Sequence, residues 1–337
     1  FPAEKRGPTL GLLGAVFGIA FLLGPILGGV LLRFSWHWLF LINVPIILYL
    51  IAQALRLVPA TRAPATAPFA LAGAVLLSVL LAALAVGLTN LDSGQLATSL
   101  RAPGVGPFLG LALLLVPVLW WVERRAADPV LSPALLRSRQ MRVTAVIAIG
   151  AGTLEAGSAF FPALAVAALG VTDYNASLLL LPSVLATTVG APLMGRALNA
   201  VGSRLVVQVG LAGISIGALI YALADLTVTL FVVGGIIGGF GFAAILGAPL
   251  RYIVLNEASA AERGTAQGLL TLFLAVGQLA GAALIGGVAT SRGGGPAGYQ
   301  FAFLLLGLLT ALLVVAGFGL KPRAAEQAAL AAAAPPA

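Results

Sequence analysis

The chain has 337 residues, of which 61% are hydrophobic and 8% charged, and its formal net charge is +8. A soluble domain carries about 25% charged residues, so this chain cannot coat a water-soluble globule, and a soluble enzyme or a disordered chain is excluded. No cysteine and one histidine exclude a disulfide framework, thiolate metal sites and paired-histidine metal motifs, and no metal or organic cofactor is implied.

What remains is a polytopic membrane protein, in keeping with a mean hydropathy of +1.11. A bilayer core takes about 20 apolar residues per helix. Ten such runs follow one another, at roughly 8–32, 37–58, 69–89, 107–122, 143–168, 175–198, 204–224, 228–250, 265–289 and 300–319. They lack period-2 alternation and are about twice the length of a barrel strand, so the fold class is all-α, a helix bundle. Pro25, Pro45, Pro117, Pro162, Pro182 and Pro192 fall inside runs, where a bundle tolerates them as kinks.

Orientation follows from Lys and Arg, which collect on the cytoplasmic side. With residues 1–7 inside, 15 of the 18 basic residues fall in inner segments, and only Arg33, Arg101 and Arg292 fall outside. A missed span would scramble that split. The C-terminus is then also cytoplasmic. The positive charge is a topology signal, and no nucleic-acid partner is expected. Lysine occurs only at Lys5 and Lys321, a GC-rich bacterial coding bias that points to a bacterial inner membrane.

The first and ninth runs begin alike. Arg6-Gly7-Pro8-Thr9-Leu10-Gly11-Leu12-Leu13 matches Arg263-Gly264-Thr265-Ala266-Gln267-Gly268-Leu269-Leu270, and both runs close on Gly-Gly-Val, at Gly28-Gly29-Val30 and Gly286-Gly287-Val288. Parallel repeats of bundles are a transporter signature. One run follows the second copy, making it the fifth helix of a six-helix bundle. The first copy is then also a fifth helix, with four helices expected before residue 1 and two extra helices between the bundles. The expected organisation is 1–58 as the last two helices of an N-terminal six-helix bundle, 59–122 as two inserted linker helices, 123–142 as a cytoplasmic connection, 143–320 as a complete C-terminal six-helix bundle, and 321–337 as a disordered cytoplasmic tail. The parent would have fourteen spans, this chain being its last ten.

Gly11 followed by Gly24-Pro25-Ile26-Leu27-Gly28-Gly29 resembles the antiporter motif in the fifth helix of major facilitator superfamily drug exporters, with Ala20 where the family carries Gly. Trp36-His37-Trp38-Leu39-Phe40-Leu41-Ile42-Asn43-Val44-Pro45 resembles the start of the sixth helix, with His37 in place of Arg. Glu123-Arg124-Arg125…Asp128-Pro129-Val130-Leu131 is similar to the family's inter-bundle connection. Gly195-Arg196…Gly202-Ser203-Arg204 looks like a cytoplasmic loop of the family, with Asn199 where Asp is usual. The resemblance covers about residues 1–320 and is to the drug:proton antiporter group with fourteen spans. It implies alternating access, proton-driven export of lipophilic and often cationic compounds, a gating role for Gly11, Gly24, Pro25, Gly28 and Gly29, and a monomer whose partners are the bilayer, protons and a small-molecule substrate. Without its four leading helices, this stretch is expected to be inactive alone.

Glu155 is the only acidic residue far from both ends of a run. Ionising a carboxyl near the bilayer centre is costly, so such residues mark function by default. Two readings stand: a carboxyl that exchanges a proton against a cationic substrate, or a neutral one hydrogen-bonded to a neighbouring helix. Phe160 and Phe161 could line an aromatic pocket for cations or simply pack. Asn43 and Gln278 offer substrate contacts or interhelical hydrogen bonds. Arg251 snorkels to the interface or meets an anion. A complete ten-span drug/metabolite transporter predicts inverted repeats, and a non-transporting scaffold or sensor predicts a soluble domain and no midplane carboxyl; neither pattern is seen in the sequence. An enzyme is not expected.

Overall fold

The computed structural model describes residues 34–57, 70–92, 95–126, 129–223, 225–259 and 262–332, with the single positions 16, 20, 27 and 31. Among the described residues every regular element is helical. Eight segments are long and apolar enough to cross a bilayer: α1 (Trp38–Leu57), α2 (Leu71–Thr89), α3 (Gly106–Glu123), α6 (Asp173–Val201), α7 (Ser203–Leu223), α8 (Val228–Glu257), α9 (Arg263–Ser291) and α10 (Pro296–Gly319). A ninth is a broken span, α4 (Arg139–Ser158) and α5 (Phe161–Leu169), bent by 46°. These are the second to tenth apolar runs of the sequence. The first run, 8–32, lies almost wholly outside the described residues, and with it Gly11, Gly24, Pro25, Gly28 and Gly29.

The burial pattern is that of a bundle meant for lipid. Only 17% of the apolar stretch of α2 and none of that of α1 is buried against other described residues. A helix apolar all round yet mostly uncovered belongs in a membrane. At the end of α3 the guanidiniums of Arg124 and Arg125 lie 4.8 and 3.9 Å from the ring centres of Trp120 and Trp121, the arrangement of an interfacial anchor.

The main core runs from Leu135 to Leu320 and is built from α4 to α10, around Ile147, Leu211, Phe231, Ile285 and Phe303. The closest helix pairs are α4 with α9, α7 with α8 and with α10, and α6 with α8. In lipid no hydrophobic force drives helices together, so close backbone approach through small residues must. A Cβ on Gly217 of α7 would lie 2.8 Å from the Gly234 carbonyl oxygen of α8, so these backbones touch. The pair α2 and α3 stands on α9. It is fixed to the following connection by Glu123, which is buried and accepts a hydrogen bond from the Leu131 amide at 2.8 Å. The connection motif read in the sequence thus has a mechanical job.

One expectation needs correction. The sequence reads the tail as disordered from residue 321, but α11 (Arg323–Ala332) is helical. Alanine is the strongest helix former, and the helix is tethered: the Glu326 carboxylate accepts from the Ser203 amide at 3.1 Å and from the Ser203 hydroxyl, while Arg323 donates to the Asn199 carbonyl at 3.2 Å.

Candidate functional site

The break between α4 and α5 has a local cause. Pro162 is the second residue of α5, and proline can neither donate to the preceding turn nor fit against it. The amides just after α4 shorten their reach: Ala159 donates to Ala156 at 3.3 Å and Phe160 to Gly157 at 3.0 Å. The Glu155 carbonyl is satisfied by the Ser158 hydroxyl at 2.6 Å. Glu155 therefore sits on the last turn before a bend within a spanning segment.

Its surroundings are built by spacing. Thr144, Ala148 and Ala151 are buried, and Glu155 prolongs that stripe at i+4 and becomes half-buried at its end. Its carboxyl makes no hydrogen bond or ion pair with any described residue. The neighbouring stripe of the same helix is locked to α9. A Cβ on Gly152 would lie 2.0 Å from the Leu274 carbonyl oxygen, one on Gly277 1.9 Å from that of Ile149, and one on Gly281 2.6 Å from that of Thr153. The Thr153 hydroxyl donates both to Ile149 of its own helix and to Gly277 across the interface, each at 3.1 Å. The carboxyl thus stands beside a helix pair whose backbones are in contact.

The structure gathers some of the candidate residues and separates others. Gln278 is half-buried beside Gly152, one turn from Glu155 along the α4–α9 contact. Phe160 turns its ring toward Gly286 of α9. Phe161 points elsewhere, into an aromatic cluster with Tyr221 and Phe303, whose ring centres lie 5.4 Å away in both cases. That cluster borders a small cavity of about 20 Å³, room for roughly one water. Asn43 is on α1 and donates to its own Leu39 carbonyl at 3.1 Å. Arg251 is on the second half of α8, after the break at Gly247, and its carbonyl accepts from Gln267 at 3.2 Å.

Thr153 and the contact glycines were missed in the sequence. The small-x-x-x-small spacing of Gly277 and Gly281 was a usable signal. Also missed was the polar cluster at the other end of α4, where Glu257 accepts from Ser138 at 2.8 Å and pairs with Lys321, whose amide donates to Gln140 at 2.7 Å.

These features define a multi-pass helical membrane protein with a broken span beside a glycine-locked helix pair. Residues 143–336 match the family model for the Major Facilitator Superfamily, and the chain belongs to that superfamily. Membership replaces the ten-span drug/metabolite alternative and points to a transporter rather than an enzyme. The chain is 38% identical over 299 residues to the uncharacterized MFS-type transporter YfiU of Bacillus subtilis (strain 168), covering 86% of this chain and 57% of that protein. It is 27% identical over 303 residues to multidrug resistance protein 3 of the same organism, again 86% of this chain and 57% of the relative. It is 29% identical over 299 residues to the tetracenomycin C resistance and export protein of Streptomyces glaucescens, 87% of this chain and 55% of that protein. The chain thus spans somewhat more than half the length of these relatives.

Proposed function

We propose that the chain is the last ten spans of a fourteen-span drug:proton antiporter of a bacterial inner membrane, a monomer with residues 1–7 and the C-terminus in the cytoplasm. The duplicated start at Arg6 and Arg263 supports the span count, and the Lys and Arg distribution supports the orientation. The antiporter motif at Gly11, Gly24, Pro25, Gly28 and Gly29 would gate the movement of the two bundles. Exported compounds would be lipophilic, often cationic, small molecules, in line with the multidrug resistance named in one relative and the tetracenomycin C export named in another.

The observation that carries the proton coupling is Glu155: a half-buried carboxyl, without a side-chain partner among the described residues, on the last turn before a bend in a spanning segment. Such a group can take a proton from one side and release it toward the other when access alternates. Gln278 and Phe160, on the same α4–α9 contact, would meet the substrate.

The test uses the parent protein in proteoliposomes with a fluorescent lipophilic cation. Glu155→Gln should abolish export driven by a pH gradient while leaving substrate binding in place. Undiminished gradient-driven export by that variant removes the assignment.

A further inference from the structure

At the Arg-rich end of the bundle, α4 and α10 border an open groove of about 460 Å³, lined by Arg139, Arg142, Val143, Val146, Val315 and Phe318 among others. Its α4 wall is one stripe, because positions 139, 142, 143 and 146 follow i, i+3, i+4, i+7. The stripe changes character along the helix axis: two guanidiniums at the outer end, two valines deeper, over roughly 10 Å of rise. Val146, Val315 and Phe318 are exposed at 52%, 65% and 59%. Gly319 closes the groove's end against α4, since a Cβ there would lie 2.9 Å from the Val143 side chain.

The charge at this end is unbalanced. Arg139 and Arg142 are exposed and make no side-chain hydrogen bond or ion pair with any described residue. The carboxylates nearby are engaged, Glu257 by Lys321 and Ser138 and Glu326 by Ser203. A third guanidinium, Arg204, lies 5.0 Å from the ring centre of Phe318.

We infer that this groove binds an anionic glycerophospholipid, with the headgroup phosphate between Arg139 and Arg142 and an acyl chain along Val143, Val146 and Val315. A soluble anion would use the guanidiniums but gain nothing from the valines, whereas a lipid meets both in the order in which the helix presents them. The inference needs only that the helices lie in a bilayer, and it does not depend on which compound is exported.

Native mass spectrometry of the 337-residue chain in detergent, titrated with phosphatidylglycerol and with phosphatidylcholine, tests it. Phosphatidylglycerol should bind the unaltered chain about thirty-fold more tightly than the R139Q/R142Q variant, two interfacial arginines being lost, while phosphatidylcholine binding is weak and equal in both. Val146→Trp keeps both charges but fills the groove, and should lower phosphatidylglycerol retention about tenfold or more. Excess inorganic phosphate should not displace the lipid. Equal phosphatidylglycerol binding by the unaltered chain and either variant overturns the site, as does displacement by phosphate.

Discussion

Gly277→Ala is the sharpest test of how α4 and α9 are joined. The added methyl would sit 1.9 Å from the Ile149 carbonyl oxygen and 2.8 Å from its carbon. The obstacle is backbone, so no side chain can rotate away. Reaching ordinary contact at 3.4 Å requires the helices to part locally by 1.5 Å. That shift carries the Thr153–Gly277 hydrogen bond, now 3.1 Å, out of range. Overpacking of this kind costs about 1–3 kcal/mol, and an interhelical hydrogen bond in a membrane adds about 0.6 kcal/mol. The melting temperature of the detergent-solubilised chain should fall by roughly 2–5 °C. Gly268→Ala on the same helix is the control. Nothing lies within 4 Å of its Cβ position, so alanine there should be neutral or stabilising by up to about 1 kcal/mol through helix propensity. Equal melting temperatures for the two variants would refute the reasoning, because propensity would then outweigh the contact.

Thr153→Val keeps the volume but removes the hydroxyl, and should destabilise by about 0.6 kcal/mol, with a ceiling near 1.7; no drop in melting temperature would show that the bond to Gly277 is not formed. Glu326→Ala removes the cap on the first turn of α7 and should cost about 1 kcal/mol, read as faster hydrogen exchange at Ser203 to Val206; unchanged exchange there would argue against the tether. Gly24→Leu in the parent protein should abolish export while leaving membrane insertion intact, and normal export would rule out the gating role.

Hydropathy made most of the fold legible. Nine of the ten apolar runs coincide with the spans of the structure, because the demand that backbone groups be satisfied inside lipid leaves no other solution for such runs. The ends were less legible. The run written as 143–168 belongs to a helix that starts at Arg139, since hydropathy marks the part in lipid and not the charged first turn. Proline was an ambiguous signal: Pro117 and Pro192 sit inside unbroken helices, whereas Pro162 follows a break. Neighbouring helices decide which prolines bend the chain, and composition does not name the neighbours. Phe160 and Phe161 make the same point at the candidate site. Adjacent residues on a helix point about 100° apart, so one ring meets α9 while the other joins Tyr221 and Phe303. The carboxyl of Glu155 could be singled out from sequence because its cost depends only on depth in the run. The lock beside it was only half legible: the Gly277–Gly281 spacing marks a close-packing face, but not that Ile149 and Thr153 stand opposite it.

The proposed alternating access would ask two things of a bundle: that it move as one body, and that it yield somewhere. The helix contacts would serve the first. Backbone touches backbone at Gly152, Gly277 and Gly281 between α4 and α9, and again at Gly217 and Gly234 between α7 and α8, and a contact without intervening side chains cannot slide by a change of rotamer. The polar strap from Lys321 to Glu326 ties α4, α7 and α8 together at one end. In that mechanism the yielding points would be the breaks, where α5 departs from α4 by 46° and where Gly247 divides α8. Glu155 lies on the α4 side of the first break, so a change in its protonation would act where the helix already lacks continuous hydrogen bonds. A carboxyl two turns nearer Arg139 would be held by the stripe of Thr144, Ala148 and Ala151, and the same proton would find no part of the helix free to respond.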